Sequence, residues 1–127
     1  HKPLASSRDP SWAPTGSLFY TGDATPGLTN RVLVGGLFSQ QVLVATLTPP
    51  EGALPPVGDG TRHAGEWTDS AYRVTTHPRL RNELGRIRHV EQGPDGGIYL
   101  VTSNRDGRAK DGFPRAGDDR LVRLTTE

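Results

Sequence analysis

The chain has 127 residues, enough for one domain of ordinary size. Its 15 basic and 14 acidic residues leave a formal charge of +1, which argues against the clustered basic excess of a nucleic-acid footprint. Hydrophobic residues make up 32% and cysteine is absent, so the core is expected to be thin, and disulfides, thiolate metal sites and cysteine nucleophiles are excluded.

His1 to Pro10 is polar and proline-bearing and reads as a loop or incoming linker. Leu18-Phe19-Tyr20 predicts a short strand, and Thr21 to Gly27 a turn cluster. Arg31 to Leu37 and Gln41 to Leu47 are β-branched apolar runs, joined too closely for a helix, and predict an antiparallel hairpin. Pro49 to Gly65 is rich in proline and glycine and reads as a loop without structure of its own. Glu66 to Ser70 could form one helical turn. Ala71 to Thr76 predicts an edge strand, and His77 to Leu80 leads into the next unit. Arg86 to Glu91 and Gly97 to Thr102 predict paired strands across a Pro94-Asp95-Gly96 turn. Asn104 to Asp119 is a polar loop, and Leu121 to Leu124 a last strand.

The pattern is all-β, with seven or eight short strands punctuated by turns. Two units are expected, about 11–80 and 81–127, each a meander of three or four antiparallel strands. Repeated four-stranded sheets suggest propeller blades. Two blades cannot close a ring, so each would leave a face and an edge uncovered. No apolar run approaches the roughly 18 residues of a membrane span. No signal peptide is visible and methionine is absent, so the chain reads as a processed product or a fragment of a larger propeller.

Arg86 and Arg88 are the most pointed feature. Residues two apart in a strand project to one face, so the spacing predicts a cationic pair aimed in one direction from a rigid hairpin. Guanidinium donors hold oxyanions by paired hydrogen bonds, so such a pair suits a ligand carrying several carboxylates or phosphates. His89 would then project to the opposite face.

Ser11 to Asp23 resembles the "SIAPSGxxFYTGD" segment of soluble pyrroloquinoline-quinone-dependent aldose sugar dehydrogenases, the glucose/sorbosone dehydrogenase family. Arg31 to Leu37 resembles its "LFVGGL" strand, Gly85 to Val90 its "GRIRDV", and Gln92 to Thr102 its "QGPDGxLYVLT". Asn104-Arg105-Asp106-Gly107 looks like the "DNxDG" that follows. These motifs occur in order over nearly the whole chain. The resemblance implies a six-bladed β-propeller, of which 1–127 would supply about the last two four-stranded antiparallel blades. It implies a quinoprotein oxidoreductase that converts an aldose at its anomeric carbon to a lactone, with pyrroloquinoline quinone and calcium as cofactors. Arg86 and Arg88 match the family's cofactor-binding arginines, and Ser11 a small hydroxyl position that contacts the cofactor. The implied partners are the remaining blades, the aldose and an external electron acceptor, in the periplasm or outside the cell. Two departures are visible. Phe38 stands where the family often has a cofactor-contacting lysine, and His89 stands for the usual aspartate. The family's catalytic histidine and calcium-coordinating backbone belong to earlier blades, so this chain is expected to hold neither catalytic nor metal-ligating residues. An alternative is a non-catalytic propeller segment used for binding or assembly.

Other candidates carry less. The four histidines, His1, His63, His77 and His89, lack the i, i+4 spacing of a helical metal site. The carboxylates of the Asn104–Asp119 loop are offset by Arg105, Arg108, Lys110 and Arg115, and no EF-hand spacing is present. Trp12 and Trp67 could line a sugar site with their aromatic faces. Ser11, Ser17 and Ser39 lack a G-x-S-x-G context.

Overall fold

A computed structural model describes residues 13–49, 51–58, 60–63 and 73–125. Five strands form the first sheet: β1 (Pro14–Tyr20), β2 (Arg31–Gly36), β3 (Gln41–Thr48), β4 (Arg62–His63) and β5 (Arg73–Arg79). Their spatial order is β1-β2-β3-β5-β4, antiparallel throughout, so four long strands carry a two-residue fifth at one edge. The second sheet is a three-stranded antiparallel meander among the described residues, β6 (Ile87–Gln92), β7 (Ile98–Thr102) and β8 (Leu121–Leu124). One 3-10 turn, Pro26–Leu28, links β1 to β2.

Strand periodicity explains which side chains turn inward. In β3 the alternation buries Val42 and Val44, and in β2 it buries Leu33 and Gly35. Leu33 faces Val44 and Leu18 faces Leu33 across the ladders. Tyr20, Leu33, Val42, Val44, Ile87, Val90, Ile98 and Leu100 make one apolar core to which both sheets contribute. Gly35 permits the close approach, since a Cβ there would lie 2.8 Å from Ile87 Cγ2 and 3.0 Å from the Thr15 carbonyl.

β1 and β6 meet through two bulges. Register slips between Thr15 and Ser17 in β1, and between Ile87 and His89 in β6. Thr15 Oγ1 donates to the Ile87 carbonyl at 2.8 Å, which satisfies an acceptor beside the irregular ladder. Gly16 takes a positive φ of 51° and lies against His89, where a Cβ would meet Nδ1 at 2.7 Å. Tyr20 and Thr21 extend the join, donating to the Gly96 carbonyl and to Gln92 Oε1.

Three boundaries differ from the sequence expectation. β1 begins at Pro14 rather than Leu18, because an edge strand accepts proline at its first residue and glycine at a bulge. β5 runs on through His77 and Pro78 to Arg79 along β3, and among the described residues β4 pairs with Thr75 and Thr76. A proline lacking its N–H is tolerated near the end of a strand toward the edge of a sheet. The loop after β3 contains the β4 pairing, which its composition conceals. The one-turn helix considered for Glu66 to Ser70, and Ala71 and Tyr72, lie outside the described residues.

Candidate functional site

The site is built where the β2–β3 turn, the start of β6 and the loop after β7 meet. Arg86 lies one residue before β6 and is buried, with 8% of its side chain exposed. Its Nε donates to the Ser103 carbonyl at 3.1 Å, one terminal nitrogen to the Leu37 carbonyl at 3.4 Å, and the other to Asp106 Oδ2 at 3.0 Å. Those bonds use three of the five N–H donors of a guanidinium.

Arg88 is different. It falls at the β6 bulge, is exposed, and forms no ion pair among the described residues. Strict alternation would have put Arg86 and Arg88 in equivalent settings. The bulge resets it, so Ile87 and Val90 turn inward while Arg88 and His89 are both exposed. His89 Nε2 lies 3.6 Å from Glu91 Oε2.

Asn104 organises the loop, a role that its place in the Asn104-Arg105-Asp106-Gly107 run does not disclose. It is fully buried. Its Oδ1 accepts the Arg86 amide at 2.8 Å, and its Nδ2 donates to the Leu84 carbonyl at 2.8 Å and to Asp118 Oδ2 at 3.1 Å. Its own amide donates to Asp119 Oδ1. Gly85 makes room with a φ of 85°, where a Cβ would collide with Asn104 Oδ1. The following Asp106 accepts the Arg108 amide. That bond first, then the charge of Arg86, holds its carboxyl below the usual carboxylate range against the opposing effect of desolvation. Burial works against the charge of Asp118. The Arg115 amide, Arg120 and Asn104 outweigh it and keep that carboxyl low as well. Asp106, Asp118 and Asp119 are thus engaged by the protein's own donors, and no cluster of three metal-ligating side chains occurs among the described residues.

Phe38 sits on the β2–β3 turn, 47% exposed, with Lys110 Nζ 3.9 Å from its ring centroid. Beside the Leu37 carbonyl that Arg86 reaches, this ring brings Arg86 and Lys110 to one turn. Ser11, Trp12 and Trp67 lie outside the described residues. The chemistry of the cations at this turn, the anchored Arg86 guanidinium and the Lys110 ammonium, suits a ligand bearing carboxylates, and Arg88 adds an exposed guanidinium two residues along. No helix among the described residues is long and apolar enough to cross a membrane.

A sequence model of the Glucose / Sorbosone dehydrogenase family matches residues 1–111. A solved structure from Thermus thermophilus, described as a candidate oxidoreductase (glucose dehydrogenase), is 31% identical with a TM-score of 0.58. The similarity covers 91% of this chain and 27% of that one, so the chain spans about a quarter of the length of this relative. No curated protein matches the chain.

Proposed function

Because the chain belongs to the glucose/sorbosone dehydrogenase family, we propose that it forms the C-terminal part of a six-bladed propeller that oxidises an aldose at its anomeric carbon to a lactone. Units about 11–80 and 81–127 correspond to its last two blades, and the remaining blades, the sugar and an external electron acceptor are its partners. Pyrroloquinoline quinone, when bound with calcium, supplies the two-electron acceptor for the sugar hydride. The periplasm or the extracellular space is the proposed location.

The observation that supports this reading is the pair of arginines at the start of β6, held in unlike ways. Arg88 offers an uncompensated guanidinium to a carboxylate of the cofactor. Arg86 is proposed for the same purpose, and Asp106, Ser103 and Leu37 fix the plane of its guanidinium. Ser11 is proposed as a hydroxyl contact. Neither a proton-transfer step nor a calcium ligand is assigned to this chain, since the catalytic base and the calcium site belong to earlier blades in this reading.

The Arg86–Asp106 pair favours a second reading, a non-catalytic segment for binding or assembly, because a neutralised arginine can serve purely as a buttress. Calorimetric titration of pyrroloquinoline quinone with calcium into the full-length polypeptide separates the two. Arg88→Ala is expected to weaken binding by about 1.5–3 kcal/mol, the range for a charged hydrogen bond. A well-folded full-length protein that binds no quinone would favour the assembly module.

A further inference from the structure

Lys110 is held more firmly than an exposed loop residue requires. Gln40, fully buried at the end of the β2–β3 turn, accepts the Lys110 amide on Oε1 at 2.9 Å and donates from Nε2 to the Lys110 carbonyl at 3.2 Å. Its Nε2 also reaches Asn82 Oδ1 at 3.2 Å. Burying a side-chain amide is costly unless its bonds are made, and here they are made to the backbone of a residue 70 positions away. The backbone at Lys110 is therefore fixed relative to the turn that carries Phe38. The side chain lies with its ammonium over the Phe38 ring.

An exposed lysine ordinarily keeps its rotamer freedom and loses it on binding. Lys110 has its backbone held and its ammonium placed against a ring, and no described carboxylate forms an ion pair with it. Its ring contact occupies one side of the ammonium and leaves N–H donors free. The adjoining residue of the same turn, Leu37, receives Arg86. One turn thus anchors two cations, of which Arg86 is offset by Asp106 and Lys110 is not.

We propose that Lys110 is a ligand-binding residue of this site, donating from its ammonium to a carboxylate of the bound cofactor while Phe38 holds it in place. The proposal rests on the quinone-binding reading above and adds a residue from the loop after β7 to the arginines of β6. Exposure of Phe38 acquires a reason: the ring is the seat for a cation.

The test is calorimetric titration of pyrroloquinoline quinone, with calcium, into the full-length polypeptide and its Lys110→Gln, Lys110→Arg and Phe38→Leu variants. Lys110→Gln retains both backbone bonds to Gln40, so the ligand-free thermal midpoint should stay near that of the parent. Binding should fall about tenfold or more, the equivalent of one charged hydrogen bond. Lys110→Arg should recover most of the loss, and Phe38→Leu, which keeps the charge but frees it, should weaken binding by a smaller factor. A parent that binds while Lys110→Gln binds equally well overturns the role of Lys110 and leaves the quinone reading intact. Weaker binding matched by an equal loss of ligand-free stability also overturns it, assigning Lys110 to loop structure. A folded parent that binds no quinone removes both proposals together.

Discussion

The core between the two sheets and the loop after β7 are both tightly packed regions, held by opposite kinds of force. The core consists of Leu33, Val42, Val44, Ile87, Val90, Ile98 and Leu100, with only the Tyr20 hydroxyl as a polar group. Its cohesion comes from area removed from water, about 25 cal/mol per Å2, and has no preferred direction. The loop has few apolar residues to bury, with Phe113 its main one. It is held instead by directional bonds converging on Asn104, Asp118 and Asp119. The core should therefore accept a change of shape at constant volume, whereas the loop should fail when a single atom is displaced.

The sharpest way to break the loop is Gly85→Ala. The new methyl group would force a left-handed residue and drive Asn104 Oδ1 from its place, orphaning the Arg86 amide and the Leu84 carbonyl. A loss of about 4 kcal/mol or more is expected in denaturant unfolding of the full-length polypeptide. A loss under about 1 kcal/mol would show that the network around Asn104 can rearrange cheaply. Next in size, Leu100→Ala should cost about 3 kcal/mol as a cavity opens in the core. Leu100→Met should cost less than about 1.5 kcal/mol in the same unfolding measurement. Equal losses for the two would mean that the core is as geometry-dependent as the loop.

The smallest effect sharpens the comparison at the surface. Asp95 accepts the Gly97 amide, Tyr99 Oη and Arg123 Nε, joining the β6–β7 turn to β8. These partners, the Gly97 amide first, lower its carboxyl from 3.8 to about 2. A lowered folded pKa means that this contribution is complete above the unfolded value and fades as pH falls from about 4 toward 2. Asp95→Asn should accordingly flatten the acid limb of a thermal midpoint against pH curve. The effect is expected to be modest because the pair is solvent-screened. An acid limb of unchanged slope would place the pH dependence with Asp106 and Asp118, whose carboxyls are also held low.

The sequence made the long strands readable because β2, β3 and β7 are short β-branched and apolar runs bounded by turn residues. It concealed whatever depended on a distant partner. Arg86-Ile87-Arg88-His89 contains no glycine or proline to mark the bulge, so its alternation suggested two equivalent arginines. β4 has two residues and exists only because β5 lies beside it. Nothing in the local sequence marks Asn104 or Gln40 as buried, and only the folded chain shows each held against carbonyls and amides from other segments. Phe38 read as a lost cation, whereas Lys110, far along the chain, stands over its ring.

The facing bulges have a consequence for how this pair of sheets can vary among homologous chains. Deleting one residue from a strand turns every side chain beyond it to the opposite face. In β1 and β6 it would also separate Thr15 from the Ile87 carbonyl and Gly16 from His89. The two strands are consequently keyed to each other, and a length change in one is viable only with a matching change in the other. Among the described residues, the stretch between β3 and β5 meets its sheet through the two residues of β4 and the Arg73 bonds to the Pro49 and Gly52 carbonyls, at the edge opposite β1, so insertions there are expected to leave the geometry that carries the arginines unaltered.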